Sequence, residues 1–355
     1  MHGIHGKKSK KKPKDMTIKL LLLMLFLSTA TSAQWIRQSV STTASFRGLS
    51  VVNENVIWAS GTGGTVIRTI DGGKTWSVMT VPGAEKLDFR DIEAFDAHTA
   101  YILSIGNGES SRIYKTTDGG ITWKLQVTNK SEKAFFDAIA CGDAKTCSFM
   151  SDPVDGEFLI YITQDGGETW HNTKTMGNRV MPTSRDGEAA FAASGTCLVT
   201  VPGNKIALLF VSGGAAARVF RSKSHGLFDW TVSETKFVKG TAGSGIFSVA
   251  MYDDRNGVIV GGNYEKPNDA KDNLAFTTDG GRTWKLGTGL TGYRSGVAYI
   301  DKKTIVAVGT NGTDMSTDGG KTWKKIGSED LNSVAAKGKK AVWGVGPKGM
   351  VVNLK

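Results

Sequence analysis

"KTTDGGITW" (115–123) is one of five near-copies of a single phrase in this chain. The others are "RTIDGGKTW" (68–76), "ITQDGGETW" (162–170), "FTTDGGRTW" (276–284) and "MSTDGGKTW" (315–323). Their aspartates, Asp71, Asp118, Asp165, Asp279 and Asp318, stand 47, 47, 114 and 39 residues apart. The long interval has room for two units. Inside it "RSKSHGLFDW" (221–230) reads as a degraded copy, with His225 at the aspartate position and Trp230 kept. A period of about 40–50 residues built from short β-runs specifies a propeller or a related array.

Each period reads as four strands. In residues 135–174 the runs "FFDAIAC", "CSFMS", "FLIYITQ" and "ETWHNTK" are parted by "GDAKT", "DPVDGE" and "DGG", clusters of turn-forming residues. Residues 46–80 and 296–326 divide in the same way. Tryptophan counts the blades: Trp76, Trp123, Trp170, Trp230, Trp284 and Trp323 each open a fourth strand. Trp35 looks like a fourth-strand tryptophan without its turn, and Trp58 and Trp343 hold equivalent second-strand positions. The stretch 331–355 supplies three strands. The expectation is an all-β domain, 34–355, forming a single seven-bladed β-propeller. Its last blade is closed by the N-terminal strand, which leaves no wide sheet edge open.

The repeated turn has a structural explanation. Paired glycines permit positive φ in a tight hairpin. The aspartate carboxylate can bond backbone N–H groups of its own turn. The tryptophan can pack between blades with its indole N–H on a main-chain carbonyl. A calcium loop would need several oxygen ligands at alternate positions; each turn has one aspartate, so no metal is expected. The phrase resembles the Asp-box (bacterial neuraminidase) repeat, S/T-x-D-x-G-x-T-W. That resemblance implies a structural hairpin on the propeller rim, away from any active centre.

Topology then separates two faces. The turns between strands 1 and 2 share one end with the boxes and are short. The loops between strands 2 and 3, and the links from strand 4 to the next blade, share the other end and hold every insertion, including the link 171–195. Variable loops on a rigid scaffold mark the candidate binding face. Strand 1 is innermost, so the pairs Phe46-Arg47, Phe89-Arg90 and Tyr293-Arg294 converge on the channel mouth, with Asp137 opening a fourth blade. Three guanidiniums there would suit a carboxylate or phosphate. The alternative is that each pairs with an acid such as Asp91, Asp137 or Glu188. Arg185, Asp152, Asp155, Tyr264 and Lys266 fall on loops of the same face, as binding candidates or as solvated loop residues.

Residues 1–33 read as a secretory leader: a basic stretch, the apolar run "LLLLMLFL" (20–27), then "STATSA" ending at Ala33. The run is too short to span a bilayer, and Met16 could be the true start. A secreted or periplasmic location is expected. The leader holds seven Lys and one Asp, so the remainder carries 37 basic and 32 acidic residues, a net of +5. That balance offers no nucleic-acid footprint. In an oxidising compartment Cys141 and Cys147 could close a disulfide across their turn; alternatively they and Cys197 are small buried residues.

The boxes together with "SDPVDGEF", "EAAFAASGTC", "GIFSVA" and "VIVGGNYEKP" resemble the photosystem II stability/assembly factor-like propellers, over about 35–355. The resemblance implies a non-catalytic scaffold docking a protein or peptide, such as a membrane-protein segment, with Arg47, Arg90 and Arg294 as the arginine patch. A monomer without cofactor is expected. The rival is a sialidase-like or other glycosidase, or a glycan-binding propeller, for which Asp137, Asp152, Asp155 and Glu188 are available carboxylates. "FRGL" (46–49) departs from the sialidase F/Y-R-I-P motif after the arginine. "GVGPKG" (344–349) matches G-x-G-x-x-G but joins two strands, so it gives no nucleotide site.

Overall fold

The computed structural model describes residues 1–4, 6, 33–176, 181–222 and 229–355. The basic and apolar runs of the expected leader, and His225 of the degraded repeat, lie outside these residues. Residues Ala33–Lys355 form one compact unit of seven antiparallel sheets. Blades 1 to 3 begin at Phe46–Val51, Phe89–Ala94 and Phe136–Cys141 and run outward in chain order. Blade 4 spans Leu198–Thr200 to Trp230–Glu234, blade 5 Ser244–Met251 to Lys285–Leu286, and blade 6 Gly296–Tyr299 to Lys324–Gly327. Blade 7 takes Ser333–Ala336, Val342–Val345 and Val351–Leu354 from the C-terminus and Trp35–Arg37 from the N-terminal side. Trp35 pairs with Leu354, so the ring closes as expected.

The hydrophobic core lies between blades. Trp58 and Val66 of blade 1 pack on Phe89, Ile92 and Ile102 of blade 2, and Trp343 and Val351 of blade 7 pack on Phe46 and Ile57 of blade 1. Inner strands are buried on both faces, whereas outer strands alternate or are exposed. That gradient explains why the second strands are continuous apolar runs such as "AYILS".

The boxes work through a residue the turn chemistry left out. In blade 2 the buried Thr116 hydroxyl donates to Asp118 Oδ1 at 2.9 Å and accepts from Gly120 N at 2.9 Å. Asp118 in turn accepts from Thr122 N and Thr122 Oγ1. Gly119 and Gly120 have φ of 81° and 87°, where a Cβ is disfavoured. The same geometry recurs around Asp71, Asp165, Asp279 and Asp318. The threonine hydroxyl bonds, with the backbone N–H, hold Asp71 and Asp118 down at about 2. The indole expectation needs correction. Trp284 and Trp323 donate to Gly281 O and Gly320 O, but Trp76, Trp123, Trp170 and Trp230 have no acceptor among the described residues. Bonds between blades come instead from Trp58, to Asp96 O at 3.0 Å, and Trp35, to Thr313 Oγ1 at 2.8 Å.

A second departure concerns the long link. Its end does not stay on the surface. Glu188–Ala189 pairs with Gly213–Gly214, which pairs with blade 5, adding two short strands to the inner edge of that blade. Gly213 and Gly245 are the paired residues of that junction, and a Cβ on Gly245 would overlap the Gly213 backbone. Residues 191–196 then cross the ring interior: Ser194 Oγ bonds Ser295 O of the link into blade 6, and Thr196 Oγ1 bonds Ser248 Oγ of blade 5.

Candidate functional site

The channel mouth on the insertion-bearing face holds a cavity of about 350 Å³. One wall is charged: Arg47 and Arg90, from the first strands of blades 1 and 2. The other is aromatic: Phe191, Phe247, Tyr264 and Tyr293. Phe191 stacks on Phe247 with centroids 3.8 Å apart and planes at 4°, and Tyr293 meets Phe247 edge-on at 4.8 Å. The crossing segment supplies the floor. Arg47 Nη1 donates to Ala193 O at 3.0 Å, and Arg90 Nη1 donates to Ala192 O at 3.1 Å.

Only one of the two guanidiniums has a described acid in contact. Arg90 Nε bonds Asp88 at 2.8 Å, but no described carboxylate lies within ion-pair distance of Arg47. Burial, and then the like charge of Arg90, depress the Arg47 pKa. Two adjacent cations against an apolar wall favour an anionic group entering between them.

The third arginine of the sequence reading is elsewhere, and this is a correction. Arg294 is fully buried. Its Nε bonds Asp314 at 2.8 Å, Nη1 bonds Asn311 Oδ1 and Tyr293 O, and Nη2 bonds Thr291 Oγ1 at 2.7 Å. Every donor direction is spent inside blade 6 and its entry link. The pairing alternative holds for this residue. A sequence cannot show which way an arginine turns; Tyr293, its neighbour, is the one that faces the cavity.

The acids are also dispersed. Glu188 is buried in a bidentate pair with Arg218 and accepts from Ser212 Oγ at 2.5 Å. Asp137 is buried with neither carboxylate oxygen bonded among the described residues, and burial pushes its pKa well up, with Asp152 adding to the effect. Asp152 accepts from Ala190 N at 2.8 Å and is pushed up to about 6 by burial. Asp91 lies beneath the crossing segment, accepts from Ile92 N and Ile139 N, and is pushed up to about 7 by burial. Asp155 is exposed and paired with Lys133, and Arg185 is exposed and paired with Glu234. Asp152, Arg185 and Glu188 line a separate, more open cleft of about 490 Å³. Tyr264 is half-exposed at the rim of the mouth, and Lys266 is exposed further along its loop. Of the ten binding candidates, the structure brings Arg47, Arg90 and Tyr264 together at the mouth.

Sequence reasoning misses Phe191 and Phe247 as site residues, and places Tyr293 at the mouth only as the neighbour of Arg294. The available clue was "EAAFAASG": small residues flanking one aromatic pack at close quarters, unlike a solvated link. Cys141 and Cys147 are joined by a disulfide, and Cys197 is a buried thiol.

Fold and site define a single-domain, seven-bladed Asp-box β-propeller with its channel closed by its own chain. The family model for the photosynthesis system II assembly factor YCF48 matches residues 27–194, and the BNR/Asp-box repeat model matches residues 315–325. Each match covers less than half of the chain, which is similar over those residues to the assembly-factor and Asp-box repeat models. Among solved structures, YCF48 bound to D1 peptide is similar at 18% identity and a TM-score of 0.65, covering 92% of this chain and 98% of that one. YCF48 from Cyanidioschyzon merolae is similar at 18% identity and TM-score 0.62, covering 90% and 98%. The GH74 enzyme of Niastella koreensis gives 15% identity and TM-score 0.59, with 90% of this chain matching 53% of that one. At these identities the likeness is one of fold. No curated protein matches the chain.

Proposed function

We propose that this propeller is an exported, non-catalytic scaffold that binds a peptide segment at the channel mouth. The observation that carries the reading is the cavity itself: two guanidiniums, one of them with no described acid in contact, opposite an aromatic wall, on the face that bears the insertions. A peptide offering a carboxylate beside an apolar side chain complements both walls. A YCF48 of the same fold is seen with a D1 peptide, which supports a peptide as the ligand class. None of the residues lining the cavity is acidic, so the pair of carboxylates a glycosidase requires is missing at this mouth. Export is proposed from the leader-like N-terminus, and the Cys141–Cys147 disulfide fits an oxidising compartment.

Selection of displayed random peptides against the protein tests the reading. Binders should be enriched in an acidic or C-terminal carboxylate next to an apolar residue, and Arg47→Gln/Arg90→Gln should lose them while staying folded. Peptides held equally by the double variant would refute the site. Binding on a glycan array in place of peptides would move the function to carbohydrate recognition.

A further inference from the structure

The opposite end of the ring carries an uneven charge that the mouth does not explain. The mature net of +5 is concentrated in the last two blades: residues 296–355 hold ten lysines and five acids. On the Asp-box end the exposed tips of blades 6 and 7 present Lys302, Lys303, Lys321, Lys337, Lys339 and Lys340, and blade 1 adds Lys74. The neighbouring outer strands add Arg37, Lys324 and Lys325, all exposed. The acids of the same turns are held back. Asp301 accepts from Lys303 N and Thr304 N, and Asp318 and Asp71 are bonded inside their boxes. Lys339 and Lys340 reach Asp301 and Glu54 at 3.3 and 3.8 Å with side chains 77% and 80% exposed, pairings that neutralise little. Blades 2 and 3 are balanced at the same end, where Lys205 pairs with Asp143 and Lys124 with Glu168. The charge therefore belongs to one sector, not to the scaffold in general.

The sector also exposes apolar side chains. Ile70 precedes the blade 1 box and is 56% exposed, Ile36 lies on the closing strand, and Val78 lies on the outer strand of blade 1. The lysines sit on convex turn tips, as long flexible cations with apolar stems. Convex, lysine-based and apolar-flecked, this surface matches an anionic bilayer rather than a peptide, which would want a groove.

We propose that the blade 6–7–1 sector of the Asp-box end is a docking surface for anionic phospholipid membranes. It holds the propeller with its peptide-binding mouth turned away from the bilayer. The inference is independent of what the mouth binds, since it rests on a different face.

Vesicle co-sedimentation decides it, using the chain from Gln34 onward, which contains every strand of the seven sheets. Vesicles of phosphatidylcholine with about a third phosphatidylglycerol are compared with phosphatidylcholine alone, at low and about 0.5 M salt. The expected result is binding to the anionic vesicles only, released by salt, and weakened at least about tenfold in Lys302→Gln/Lys303→Gln/Lys337→Gln/Lys339→Gln. A control removes the same charge from the mouth face, Lys86→Gln/Lys130→Gln/Lys236→Gln/Lys271→Gln, and should bind as the parent does. Ile36→Thr should weaken binding at low salt, by less than the lysine variant does. No binding to anionic vesicles, or equal loss in the two lysine variants, would overturn the proposal. So would polyglutamate competing as well as the vesicles, which would reassign the sector to an acidic protein.

Discussion

Arg294→Met is expected to destabilise the propeller strongly while leaving the walls of the mouth intact. The side chain is fully buried, and its removal strands Asp314, itself 0% exposed, without its counter-ion. Thr291 N and Oγ1 still reach that carboxylate, so it keeps some hydrogen bonds but not its charge partner. Breaking a buried ion pair from one side costs about 3–5 kcal/mol. Unfolding entropy of about 2.1 cal/mol/K per residue over about 320 residues gives about 0.7 kcal/mol/K. The melting temperature should therefore fall by about 6 °C. Arg47→Met, by contrast, removes a cation with no described carboxylate in ion-pair contact, and the lost longer-range pull of Asp88 and Asp330 is offset by relief of the repulsion from Arg90, so it should change stability by about 1 kcal/mol or less. Thermal unfolding followed by near-UV circular dichroism, with a urea titration to check the cooperativity, measures both. Arg294→Met/Asp314→Leu should recover most of the loss, because the desolvated charge is gone. A parent-like melting temperature for Arg294→Met, or a larger fall for Arg47→Met, would refute the division between a structural and a ligand-facing arginine.

Stability should fall as pH rises from about 4 to 7: Asp91 and Asp152 are raised in the fold to about 7 and 6, so across that window the folded state holds protons the unfolded chain has released. Acid-side loss should begin below about 4, where Asp71 and Asp118, depressed in the fold, become protonated; Asp91→Asn should flatten the upper slope in a melting-temperature series. Gly195→Ala should lower stability and open the mouth, since Gly195 has φ of 76° and a Cβ there would overlap the Asp91 carboxylate; a peptide bound with parent affinity would contradict the role of the crossing segment as its floor. Cys141→Ser/Cys147→Ser should cost about 2 kcal/mol from the short closed loop, and the native protein should show one thiol, Cys197, that reacts with maleimide only after unfolding.

The sequence by itself determined the ring. A fixed period, paired glycines and a tryptophan per unit are local commitments, each satisfied within one hairpin or between adjacent blades. They count the blades, place the closure at Trp35 and sort the loops to two ends without any long-range geometry. It also determined the charge asymmetry, since lysines on turn tips stay where the turns put them. Tertiary structure alone decided what the mouth contains. Whether Arg47 and Arg294, similar in sequence setting, face a cavity or a buried aspartate depends on a partner such as Asp314, whose approach is set by the packing of strands around it. The passage of residues 191–196 through the ring is likewise a matter of volume. The channel interior must be filled, and a run of small residues with one phenylalanine fits it against Phe247 and the two arginines. Periodicity reports on contacts that repeat; the site is made of contacts that occur once.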